Sequence, residues 1–193
     1  MRTTKIRFAP AATLLGAALA ATLTMVGAHA AGIDIHSDAS AADVGLPLYP
    51  GAVKRPSKED DDHGGISLGL WGGAFGLKLA AVEYTSADGV DAVASFYRDA
   101  LSKYGAVVDC SQNKPKNAKG KNGSSRGVWS SSDVDDGKDS GDKPVTCGGD
   151  GPDVAGGRLY KVGTKSDQRL FELDPVSGGV NFQLVHLQLH GVN

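Results

Sequence analysis

Ser86 to Gly105, SADGVDAVASFYRDALSKYG, is the stretch on which the fold turns. Val93, Ala94, Tyr97, Leu101 and Tyr104 follow Val90 at offsets of three, four, seven, eleven and fourteen, which puts all six on one face of a 3.6-residue period. Asp91, Ser95, Arg98, Asp99, Ser102 and Lys103 fill the opposite side, and Phe96 either widens the apolar face or stands at its rim. Ser86 or Asp88 can cap the start by accepting from unpaired amide groups, with Asp88 and Asp91 at capping-box spacing. Gly105 supplies the left-handed residue that commonly follows a helix, and Lys103 suits the negative end of the dipole. The spacing predicts one amphipathic helix whose stripe requires a sheet or a second helix to cover it.

On either side of it the pattern changes to strands. Leu77 to Thr85 runs straight into the helix and Ala106 to Cys110 follows Gly105, giving a strand, helix, strand unit. Later, Leu159 to Thr164, Arg169 to Asp174 and Val180 to His190 are β-prone runs separated by turn chemistry at 165–168 and 175–179, an antiparallel meander. In the last run Val185, Leu187 and Leu189 alternate with His186, Gln188 and His190, as in a half-buried strand. Runs of strands around a single helix predict an α+β fold, an antiparallel sheet with one principal amphipathic helix packed on one face.

The beginning of the chain reads as an address. Arg2, Lys5 and Arg7 precede the uncharged run from Ala11 to Val26, and Ala28-His29-Ala30 is a small-x-small cleavage site, so residues 1–30 are expected to be a signal peptide. Cleavage leaves 163 of the 193 residues, one ordinary domain that can bury roughly 70% of its unfolded surface. It removes three of the 20 basic residues and none of the 22 acidic ones, so 17 face 22 and the net charge moves from −2 to −5. That balance argues against nucleic acid or anionic lipid as partner. No membrane span is expected after cleavage, and the location is periplasmic or secreted.

Cys110 and Cys147 are the only cysteines, and in an oxidising compartment they are expected to form a disulfide, since two residues cannot build a zinc site unaided. The low-complexity stretch between them opens a loop over about 111–157. Its basic half carries Lys114, Lys116, Lys119, Lys121 and Arg126, and its acidic half Asp133, Asp135, Asp136, Asp139 and Asp142. Opposite blocks of this kind read as a solvated, tethered loop, with Val128-Trp129 as a short strand inside it.

Several residues invite a chemical reading. Residues 31–45 are small, polar and without periodicity, a flexible lead-in in which His36 between Asp34 and Asp38 is better read as solvated than as a metal site. Leu46 to Gly51, LPLYPG, is a compact turn ahead of a single domain spanning 46–193. Glu59, Asp60, Asp61, Asp62 and His63 lack EF-hand spacing and read as a surface loop. Gly65-Ile66-Ser67-Leu68-Gly69 matches G-x-S-x-G, and Asp174 with His186 or His190 follows in triad order. The local context does not fit an elbow, because glycines at 69, 72, 73 and 76 prevent the helix that must follow. Those glycines do not spell a nucleotide motif either. His186 and His190 share one face of a strand but stand roughly 13 Å apart. No catalytic residue, cofactor site or metal ligand is assigned from these patterns.

Leu48 to Ala52 (LYPGA), the helix carrying Phe96-Tyr97-Arg98 with Gly105 behind it, and Val162 to Lys165 near Phe182 to Val185 together resemble a group of small exported bacterial proteins of unknown function. That group shares a YPGA opening, an FYR helix and a C-terminal β-hairpin. The resemblance implies one α+β domain, carries over no catalytic residues and skips the charged insert. The expected function is a non-enzymatic envelope or secreted binding module that contacts another envelope protein or a cell-wall component. An exposed apolar patch around Trp71, Phe75 or Phe96 would mark its surface. The competing expectations are a small serine hydrolase using Ser67, and a metal-binding protein using His63 or His186 with His190.

Overall fold

The computed structural model describes residues 31–56, 64–113 and 143–191. The leader, the acidic run ending at His63 and the charged blocks around Trp129 lie outside the described residues. The chain runs β1 (Gly32–His36), α1 (Ala41–Val44), β2 (Val53–Lys54), β3 (Gly65–Gly72), β4 (Phe75–Ser86), α2 (Val90–Ser102), β5 (Val108–Asp109), β6 (Arg158–Gly163), β7 (Asp167–Val176) and β8 (Gly179–His190). All strands pair antiparallel in one sheet of order β1-β3-β4-β8-β7-β6-β5, with β2 also on β4. The antiparallel sheet is as expected. The molecule is mostly sheet, however, with helices of only four and thirteen residues, so the α+β expectation is met in part.

The C-terminal meander β6-β7-β8 is inserted between β4 and β5. Those two strands run the same way with three antiparallel strands between them, so the α2 connection has to cross the sheet face. Its stripe lands on the sheet as it does so, burying Val93, Ala94, Tyr97, Ala100 and Leu101. They meet Val82 and Tyr84 of β4, Val180, Phe182 and Leu184 of β8, and Phe171 and Leu173 of β7 in one core. The Tyr97 ring stacks on Phe171 at 4.7 Å, and Phe96 sits edge-on to Tyr49 at 5.1 Å, widening the buried face.

The helix begins differently from its sequence reading. Gly89 is the N-cap and no side chain caps it. Tyr49 explains this, because its hydroxyl donates to the Asp88 carboxylate at 2.7 Å and ties that acid to the LYPG turn. Ser86 accepts from the Asp88 amide instead.

The reading of residues 31–45 as a flexible lead-in, with the domain starting at 46, is corrected. Ile33 and Ile35 alternate with Asp34 and His36 in β1, which pairs with β3 from Gly32 opposite Trp71 to His36 opposite Ser67. Two cycles of alternation are too short to register as periodicity, and the partner strand supplies the order. In α1 the Asp43 carboxylate accepts from both the amide and the hydroxyl of Ser40, which holds its pKa below the usual value. Gly45 ends α1 at φ 81°.

Cys110 and Cys147 form the expected disulfide, with Cα atoms 5.5 Å apart. The bond closes the base of the excursion between β5 and β6. Beyond it the chain lays Asp150 against Lys161 at 2.5 Å, both side chains 2% exposed, on the sheet face opposite α2. Pro175 was expected to open a turn, yet β7 runs on to Val176. β6 pairs no further than Leu173, so the missing proline donor faces no neighbour there.

Candidate functional site

Alternation along paired strands fixes which side chains share a face. Three successive rows on the α2 side cross the sheet as His36–Ser67–Ala80–His186–Arg169, then Asp34–Gly69–Lys78–Gln188–Asp167, then Gly32–Trp71–Gly76–His190. α1 covers part of the first row, and the Arg169 guanidinium there donates to the Val44 carbonyl and lies 3.8 Å over the Tyr104 ring. The second and third rows form an open shelf beside α1.

Glycine makes that shelf flat. A Cβ on Gly32 would fall 2.3 Å from the Trp71 ring, and one on Gly69 would fall 3.4 Å from it, so the indole rests against bare backbone of β1 and β3. A Cβ on Gly76 would lie 3.5 Å from His190, whose side chain leans over that glycine in turn. Trp71 remains 49% exposed. Asp34, Ser67, Trp71, Lys78, Gln188 and His190 border a hollow of about 330 Å³, at the small end of the roughly 300–1,000 Å³ of ligand sites. Its formal charges, one from Asp34 and one from Lys78, cancel.

The residues considered for hydrolysis are not brought together. Ser67 lies inside β3, a strand that continues to Gly72, so there is no strand-to-helix elbow. Asp174 pairs with Asn181 and faces the other side of the sheet from His186. The carboxylate on His186 is Asp167, which meets its Nε2 at 2.9 Å and also takes Arg169 and, at 3.4 Å, Gln188. Burial pushes the His186 pKa down, the Asp167 hydrogen bond opposes this, and the Arg169 and Lys78 charges add to the lowering. His36 pairs with Asp34 at 2.8 Å. Among the described residues no three His, Cys, Asp or Glu side chains are placed to hold a metal.

No protein-family model matches this chain, and neither a curated protein nor a solved structure matches it. From the sequence, Trp71 and Phe75 stood out as patch candidates, and both are about half exposed, whereas Phe96 packs at the core rim. The roles of Asp34, Lys78 and Gln188 were not legible, because only strand register brings three such distant positions into one row.

On the opposite face, Ile33 and Ile35 are 71% and 62% exposed and continue the aliphatic row positions Ile66, Leu68 and Leu70 of β3. Asp174 also lies on that face. Burial, with the Asp153 carboxylate adding to it, Arg55 opposing and Glu83 adding again, raises its pKa to about 6, and Oδ1 has no hydrogen-bond partner among the described residues. A folded-state pKa above the unfolded value means the folded protein holds the proton more tightly. That stabilisation is complete below about pH 4 and lost as pH rises through about 6. Asp174→Asn is therefore expected to be the more stable protein at about pH 7.5, by on the order of 1 kcal/mol after screening of a partly exposed group, and indistinguishable near pH 4. Thermal melts of both proteins across this range check it, and a difference independent of pH would contradict the assignment.

Proposed function

We propose that this protein is a non-enzymatic, exported bacterial module, periplasmic or secreted, that contacts a component of the cell envelope through the open shelf of its sheet. The observation that carries the reading is Trp71, a large ring half in solvent yet packed against glycine backbone. A solvent-exposed aromatic held in this way loses little entropy when a partner covers it. Export is supported by the leader pattern and is compatible with the disulfide. Among the described residues no helix is long and apolar enough to cross a membrane. The YPGA opening and FYR helix support kinship with small exported proteins of unknown function, and the separation of Ser67, His186 and Asp174 leaves the hydrolase alternative without a geometric basis.

A second surface has its own observation. The exposed Ile33 and Ile35 row suits another envelope protein better than a polar polymer, because contiguous aliphatic surface gains most from an apolar partner. Co-sedimentation separates the two. The processed protein is expected to pellet with protein-free sacculi or with envelope vesicles, and Trp71→Ala to move to the supernatant while Ile33→Ser/Ile35→Ser does not. Loss on the isoleucine change alone would transfer the contact to the opposite face. No pelleting with any envelope fraction would overturn the contact reading altogether.

A further inference from the structure

We infer that the ligand of the shelf is a neutral, equatorially linked hexopyranose chain, an inference that rests on the contact reading above and names its chemistry. Three features of the shelf select this class. The indole of Trp71 packs against the bare backbone of Gly32 and Gly69 and stays 49% exposed, so the side of the ring turned away from those glycines is the one offered. An aromatic face carries the negative part of the ring quadrupole. The axial C–H groups of a pyranose present a flat, weakly positive, apolar patch of matching size, and C–H contacts of this kind are individually weak and additive. A phosphate or carboxylate ligand would be repelled by the same face.

The rim supplies the second feature. Next to the ring come Asp34, which accepts, Lys78, which donates, and Gln188, which does both, with Ser67 and His190 at the corners. Hydroxyl groups around a sugar ring are donors and acceptors at once, and they pair with such a mixed rim. One acid against one base leaves no net charge to hold an anionic polymer. Lys78 in addition belongs to a row that continues through Gln188 to Asp167, so its hydrocarbon stem stands among polar neighbours on a fixed strand.

Shape is the third. The hollow is shallow and bounded by four neighbouring strands, with Gly69 and Gly76 leaving its floor at backbone level between Trp71 and Lys78. An equatorially linked chain is an extended ribbon that lies along such a floor, whereas an axially linked chain curves away from it. The site holds a short stretch of polymer and works by repetition along it.

The test uses the full processed chain with its disulfide intact. Chitohexaose and cellohexaose are titrated in while Trp fluorescence and amide chemical shifts are followed, with maltohexaose and heparin as contrasts. The first two are expected to change Trp71 emission and to shift the amides of Asp34, Gly69, Gly76, Lys78 and Gln188. Maltohexaose and heparin are expected to leave them unmoved. Trp71→Ala should weaken binding about five- to tenfold, the size of one aromatic contact, and Trp71→Phe by less. Gly76→Val, which puts a side chain against His190 on the floor, should also weaken it with Trp71 intact, and circular dichroism verifies that each variant is folded. Shifts confined to the opposite face, equal response to maltohexaose, or tighter binding of heparin would each overturn the inference. If none of the sugars binds while the protein still pellets with envelope vesicles through Trp71, the glycan inference fails and the contact reading stands. If neither occurs, both fail.

Discussion

Tyr97→Ala is expected to lower the stability of the folded protein by about 4 kcal/mol, the usual cost of emptying a buried aromatic site. Tyr97 is fully buried and lies at the centre of the aromatic core, 4.7 Å from the Phe171 ring, 5.2 Å from Phe182 and 5.1 Å from Phe96. Its neighbours come from α2, β7 and β8, so the cavity cannot close without moving the helix relative to the sheet. The hydroxyl has a separate role, accepting the Tyr49 amide at 3.2 Å and joining α2 to the LYPG turn. Burial raises the hydroxyl's pKa far above the ordinary tyrosine range, so it stays protonated throughout the useful pH range. Tyr97→Phe keeps the ring and removes that acceptor, at a cost of about 1 kcal/mol. Denaturant melts of the two variants therefore separate packing from hydrogen bonding. Equal losses would mean that the turn contact, and not the aromatic cluster, holds the helix.

The same residue shows why part of the fold was readable. Tyr97 stands on the 3.6-residue stripe with Val93, Ala94 and Leu101, and that stripe could be satisfied only by a sheet formed elsewhere in the chain. The meander was readable for a similar reason, since β6, β7 and β8 are consecutive and joined by short turns. β1 and α1 were not. Gly32 to His36 has only two apolar residues, and its strand conformation comes from pairing with β3, more than thirty residues away. β3 was obscured by its glycines, which lower strand propensity in isolation and here make room for the Trp71 ring.

The shelf was the least legible feature. Trp71 and Phe75 drew attention as isolated aromatics in a glycine-rich segment, which is a local signal. Asp34, Lys78, Gln188 and Asp167 are ordinary surface residues in sequence and become one row only through four strand registers. Ser67, Asp174 and His186 stand in triad order along the chain, and strand register undoes that order in space. Asp174 and His186 are both even-numbered positions, but the β7–β8 register sets even positions of one strand against odd positions of the other, which places the two on opposite faces. Sequence order cannot express that.

Removing the Cys110–Cys147 disulfide, in a Cys110→Ala/Cys147→Ala protein, is expected to cost about 4 kcal/mol as well. The half-cystines are 37 residues apart, and in the chain-entropy treatment a loop of that length limits the unfolded ensemble by about this amount. The folded side should change little, because the cysteine positions bear no sheet pairing of their own beyond the Cys110 amide bond to the Leu159 carbonyl. Two observations set the direction of any departure. The clip positions the loop whose Asp150 faces Lys161, with the Asn113 amide donating to the Asp150 carbonyl, so fraying there would add a desolvated pair to the loss. Constraint of the unfolded chain, on the other hand, leaves a signature of its own: the variant should unfold with a larger denaturant slope, since its unfolded state exposes more surface. A larger slope with the full loss assigns the effect to the unfolded chain. An unchanged slope with a greater loss and increased amide exchange at Lys161 would assign it to the loop, and the clip would then be a support of the Asp150–Lys161 pair.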